Sequence, residues 1–147
     1  MSATLRIAQP ADADRVMRMV LACHEEIGLN PDPEDREIAV AALLEGETPG
    51  ALYLIGPPSS PVGYLAVSFG HAISVGGTEA HVDELFVRPN VRRRGMAAEA
   101  LRALSKMLSQ HGVKALHVRV PGPGPVPGFL PRLRFAPTEG TRLTRML

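Results

Sequence analysis

"DELFVRPNVRRRGMAAEAL", residues 83–101, changes character twice along its length. A strand-like apolar run ends at Pro89, three consecutive arginines lead into Gly95, and a helix-like stretch follows from Met96. Strand, loop and helix in that order present backbone N–H groups to an anion, because the first turn of a helix has unpaired donors and a partial positive charge. The donors here would come from Arg92 through Ala97. Gly95 would let the backbone curl toward a ligand, and the small Ala97 would leave the approach open. A diphosphate has the size and charge for such a nest. The loop lacks the Gly-Lys-Ser/Thr ending of a Walker loop and the three spaced glycines of a dinucleotide fingerprint. On spacing alone, a solvated turn with idle arginines is the plain alternative.

Outward from this stretch the periodicities are readable. "TLRIAQP" reads as a short strand stopped by Pro10. In "ADADRVMRMVLACHEEIG", Val16, Val20, Cys23 and Ile27 recur at helical spacing, acids occupy the first turn and Gly28 is a stop. A second helix lies in "LNPDPEDREIAVAALLEGE", with Asp32 as N-cap, Pro33 at the first helical position and Gly46 as C-cap. Strands follow in "ALYLI" and "VGYLAVSFG", joined through "GPPSSP", and a turn at Gly76-Gly77 leads into "HVDELFV". Met96 to His111 reads as a helix with Ala97, Leu101, Leu104 and Leu108 on one face, closed by Gly112, and "KALHVRV" as the next strand. Prolines at 121, 123, 125 and 127 exclude helix and paired strand from the next segment. "FLPRLRF" has room for a short helix, and "TEGTRLTRML" is expected to form a final strand or hairpin. The order β-α-α-β-β-β-α-β-(α)-β predicts an α/β fold with helices on both faces of a mixed, mostly antiparallel sheet.

Composition narrows the classes. The 147 residues, 45% hydrophobic and 21% charged, suit one domain spanning 1–147 with its own core. A net charge of +1 makes the arginine triplet a local feature, which argues against nucleic acid as a partner, as does the lack of an aromatic platform beside it. The single cysteine, Cys23, excludes an internal disulfide and falls on a helix's apolar face, where a core role is expected rather than a reactive thiol. Arg6, Asp12 and Asp14 interrupt any apolar leader, and no run is long enough to span a membrane. A cytoplasmic location with no membrane contact is the expectation.

The quoted stretch closely resembles the signature of the GCN5-related N-acetyltransferases, the GNAT superfamily: a strand of type E-L-x-V-x-P, then R/Q-x-x-G-x-G/A and a helix. Arg92, Gly95 and Ala97 stand at the three fixed positions of its second half. "FLPRLRFAP" is similar to the family's F-Y-x-x-x-G-F element. The resemblance implies a GNAT-like sheet, acetyl-CoA as cosubstrate and no metal. It implies that backbone groups near Leu85, Phe86 and Val87 pair with the pantetheine arm, and that the amides of Arg92, Arg93, Arg94, Gly95, Met96 and Ala97 cradle the pyrophosphate. The arginine side chains would add charge-assisted contacts. Arg93 stands where relatives often carry glycine.

Acetyl transfer to an amine needs a base, an oxyanion contact and a route for the departing thiolate. Glu84 resembles the family's base, acting directly or through water. Its plain alternative is a structural acid, and in a regular strand Asp83 would face the other way. A backbone N–H near Phe86 or Val87 would hold the oxyanion. Where relatives place a tyrosine acid this chain has Leu130, and His117 is a weak substitute. His24, Glu25 and Glu26 end the first helix, either as an acidic rim favouring a cationic acceptor or as a solvated helix end. The leading expectation is an N-acetyltransferase acting on a small-molecule or protein amine by direct attack, with a homodimer left open. A catalytically weakened acyl-CoA sensor of the same fold is the second reading, and a nucleic-acid module the third.

Overall fold

Turn and cap residues set most element boundaries in the computed structural model, which describes residues 4–147. Strand β1 (Leu5–Ile7) leads into helix α1 (Ala13–Ile27), which stops at Gly28 with φ 74°. Helix α2 (Pro33–Glu45) starts where the Asp32 carboxylate accepts from the Glu34 amide at 2.9 Å and the Asp35 amide at 3.2 Å. Strands β2 (Gly50–Ile55), β3 (Gly63–Ala72) and β4 (Gly77–Val87) form a meander. Helix α3 (Met96–Gln110) returns the chain to strand β5 (Ala115–Val118), and a single turn, α4 (Phe129–Arg132), follows the proline-rich segment.

The five strands lie in sequence order. The first three pairings are antiparallel, and β5 joins β4 in parallel, as a strand reached through a helical crossover can. This is the mixed, mostly antiparallel α/β sheet that the element order predicts. Alternation along the strands sends side chains to two cores. Leu65, Val67, Val82, Leu101 and Leu104 pack between the sheet and α3. Val16, Val20, Leu52, Tyr64 and Phe86 pack between the sheet and the α1–α2 pair. No described helix is long and apolar enough to cross a membrane.

Two expectations need correction. Residues 136–147 hold neither strand nor hairpin. Glu139, Arg142 and Arg145 interleave with few apolar residues, and Leu143 and Met146 remain exposed. Such a stretch buries too little surface to offset its ordering. The helix between β4 and β5 ends at Gln110, and its buried face is made by Met96, Ala100, Leu101, Leu104 and Leu108, with Ala97 only half-buried.

Candidate functional site

Strand β4 outruns its parallel neighbour. The β4–β5 ladder closes at Val82 opposite Val118, and the Arg119 amide makes one more bond to the Val82 carbonyl at 3.2 Å. Beyond that point β4 continues alone on this edge to Val87, while the chain after β5 is carried off by Pro121. The divergence opens a cleft of about 860 Å³, walled by Leu85 and Val87 of β4, Met96 and Ala97 of α3, and Phe129 and Leu130 of α4.

The backbone of this stretch is divided between two edges. Arg88 donates its amide to the Val62 carbonyl at 2.7 Å, and the Phe86 carbonyl lies so close to Gly63 that a Cβ there would collide with it. Phe86 is therefore turned toward β3, and by antiparallel alternation Leu85 and Val87 direct their backbone groups to the cleft edge. Of the three residues expected to present backbone groups to a ligand, these two face the cleft.

Eight residues, 88–95, link β4 to α3, with a tight 3-10 turn at Pro89–Val91. Gly95 precedes α3 with φ 77°, and the Glu99 amide closes the first helical bond back to its carbonyl at 3.0 Å. No side chain caps this helix, so the amides of its first turn are left to a ligand or water. Arg93 holds φ 65°, in the left-handed region where relatives' glycine would be unstrained. Arg93 lines the cleft, Met96 is buried and Ala97 half-buried at its wall, and Arg94 is exposed.

The Arg92 side chain does something other than reach for phosphate. Its Nε donates to the Val87 carbonyl at 2.7 Å, its terminal nitrogen spans both Glu26 carboxylate oxygens at 2.9 and 2.8 Å, and its guanidinium lies 5.6 Å from the centre of the Phe86 ring. It braces the end of β4 against α1. Arg92 still borders the cleft, and two further cations there that escaped sequence reasoning are Arg119 and Arg132, brought from opposite ends of the proline-rich segment.

Glu84 owes its orientation to a bulge. Ala66 pairs with Glu84 but Val67 with Val82, so Asp83 has no partner on β3. The extra residue shifts the alternation by one. Val82 packs toward α3, yet Glu84 and Phe86 face the α1–α2 side, whereas a regular strand would have kept Glu84 with Val82. There the Tyr64 hydroxyl donates to Glu84 Oε1 at 2.7 Å, and His24 Nε2 lies 2.8 Å from Oε2. Arg36 donates from Nε to His24 Nδ1 at 3.2 Å, which leaves the ring proton on Nε2 to be donated to Glu84. Each carboxylate oxygen keeps acceptor capacity, and the side chain remains 23% exposed where it borders the cleft. Burial, with the neighbouring Glu84 carboxylate adding to it, pushes the Tyr64 hydroxyl far above its usual range, so it serves as a fixed donor.

Several sequence expectations change here. His24 is not a solvated helix end: it is buried and bonded to Glu84. Glu26 belongs to the Arg92 brace. Cys23 is a core residue, as its spacing implies, and it also reaches the cleft wall; burial pushes its thiol up. His117 lies outside the cleft, 2.8 Å from Glu79, which removes it as a substitute acid. Leu130 is buried at the cleft wall. Tyr64 and Arg36 carried no motif signal, because nothing local marks a residue whose partner lies on another element.

The family model for the acetyltransferase (GNAT) family matches residues 14–124. Among solved structures, an integron cassette protein from the mobile metagenome of Cole Harbour salt marsh superposes with a TM-score of 0.83 at 29% identity, over 97% of this chain and 90% of that one. A ribosomal-protein-alanine N-acetyltransferase from Brucella melitensis biovar Abortus 2308 gives 0.75 at 15% identity, covering 99% and 100%. An aminoglycoside acetyltransferase from an uncultured soil metagenomic sample gives 0.71 at 14%, covering 99% and 96%. At those last two identities the likeness is one of fold. No curated protein matches the sequence.

Proposed function

Since the chain belongs to the acetyltransferase (GNAT) family, we propose that it transfers acetyl from acetyl-CoA to a small-molecule or protein amine by direct attack. One observation carries this reading. A strand edge released from its neighbour at Val82, the uncapped start of α3 and the Glu84 carboxylate all border a single cleft. The edge groups of Leu85 suit an amide-bearing arm, and the amides from Arg93 to Ala97, with Arg93, Arg119 and Arg132 nearby, suit its phosphates, whereas the Arg92 amide is already donated to the Pro89 carbonyl at 3.3 Å. When bound, acetyl-CoA supplies an activated thioester carbonyl.

In this reading Glu84 takes the proton from the acceptor amine, directly or through one water, while Tyr64 and His24 hold its carboxylate in position. The Val87 amide, directed to the cleft edge, polarises the thioester oxygen. Asp83 and Glu84 give the cleft wall a negative character that attracts a cationic acceptor. Direct attack is favoured over a route through Cys23, since burial first, then the Glu84 and Glu26 carboxylates, hold that thiol protonated. The second reading, a weakened acyl-CoA sensor, draws on Leu130: no tyrosine is among the cleft-lining residues.

Thermal melts and turnover test the proposal together. Acetyl-CoA at 100 times its Kd stabilises the native state by about 2.7 kcal/mol, which raises Tm. Thiol release with a panel of amines then shows turnover, and Glu84→Gln lowers kcat by roughly 10²–10⁴-fold. A shift without turnover favours the sensor, no shift overturns both readings, and equal rates for the two proteins remove Glu84 as the base.

A further inference from the structure

We propose that Glu79, His81 and His117 form a binding site for one divalent transition-metal ion of the zinc class, which bolts β4 to β5 at the root of the cleft. Glu79 and His81 are two apart on β4 and share a face, and His117 is the parallel partner of His81. The two imidazole rings stack with centres 4.7 Å apart and planes 23° from parallel. Both turn Nε2 toward a single carboxylate: His117 Nε2 lies 2.8 Å from Oε1, and His81 Nε2 3.6 Å from Oε2 of Glu79. One ligand atom from each residue can be chosen so that all three lie within 4.8 Å of one another.

Zinc bonds of ~2.0–2.1 Å to nitrogen and oxygen place tetrahedral ligands roughly 3.3 Å apart, so the two separations to Glu79 bracket the required value, and side-chain rotation would bring in the third, which lies within 4.8 Å. A hydrogen-bonded His117–Glu79 pair would account for two of the three residues. It gives no reason for a second imidazole stacked on the first and aimed at the same carboxylate. On β3 the facing positions are Gly70 and Ser68, too small to fill the space above the cluster. The three side chains are partly exposed, at 18–35%, so an ion can enter and water can complete its shell. Two imidazoles and one carboxylate select zinc, nickel or cobalt over magnesium and calcium, which prefer oxygen.

None of the three residues lines the cleft. They lie along the four-residue ladder of Glu79–Val82 with Ala115–Val118, immediately before the strands part. An ion held by both strands at that place stabilises the fold without entering acetyl transfer, so this inference stands apart from the proposed activity.

The test uses the whole protein, stripped by chelator and dialysed. Calorimetric titration with Zn²⁺ is expected to give one site, and Zn²⁺ at 100 times its Kd to raise Tm by about 5 °C or more, with Mg²⁺ producing no shift. His81→Ala and His117→Ala each weaken zinc binding by more than about tenfold, while His111→Ala, at the exposed end of α3, leaves it unchanged. Should a histidine variant fail to fold, the near-isosteric Glu79→Gln is read in its place, with the same loss expected. Absence of zinc binding, equal shifts with Mg²⁺, or undiminished binding in the folded cluster variants would overturn the site.

Discussion

A single backbone angle at Arg93 ties the stability of the loop to the ligand role proposed for it. A side chain at φ 65° costs on the order of 1–2 kcal/mol, and glycine would avoid that strain while adding about 0.5–1 kcal/mol of unfolded-chain entropy. Arg93→Gly is therefore expected to melt at the same temperature as the natural protein or slightly higher. Arg93→Ala, which keeps the strained Cβ, should melt below Arg93→Gly. Both should bind acetyl-CoA several-fold more weakly, for loss of a cation at the cleft wall. Calorimetric Tm and a binding titration check this, and a glycine variant less stable than the alanine one would refute the strain argument. Arg93 as the odd member of the loop was legible from the string of residues. The work of Arg92 was not, because its partner Glu26 lies 66 positions away.

Among the elements, α2 reaches Glu84 through a relay: its Arg36 orients His24, which in turn holds the carboxylate. The start of that helix rests on the Asp32 cap. Asp32→Ala is expected to cost about 1 kcal/mol of stability, seen as a lower denaturation midpoint, and to reduce kcat more than it raises KM as the His24 register loosens. A kcat unchanged once stability is restored by lower temperature would show that α2 does not position Glu84. The α2 boundaries were readable from Asp32, Pro33 and Gly46 because capping is a local matter. The bulge at Asp83 was not readable. Nothing in "HVDELFV" departs from a plain strand, and the extra residue exists only relative to the register of β3.

For the molecule as a whole, β1 and the start of α1 are tied by Arg6, which makes two bonds of 2.9 Å to the buried Asp12 carboxylate, joined by the Gln9 amide at 2.9 Å. The Arg6 bond first, then the Gln9 amide, hold the Asp12 carboxyl down at about 2, against an ordinary value of 3.8. With the folded value below the unfolded one, the unfolded chain binds the proton more readily. The contribution is thus whole above about pH 4 and lost as pH falls toward 2. Asp12→Asn should lower Tm at pH 7 and flatten the fall in stability between pH 4 and 2. Melts across that range check it, and parallel curves for the two proteins would exclude Asp12 as a source of acid sensitivity. By itself the sequence determined the identity of nearly every element and the family signature, because periodicity, caps and a strand–loop–helix turn are encoded by neighbours along the chain. Only the tertiary structure decided which face Glu84 takes, that His24 and Tyr64 hold it, that Arg92 is a brace, that His81 and His117 converge on Glu79, and that the last residues add no strand. Each of those depends on register and packing between distant segments, which no local pattern carries.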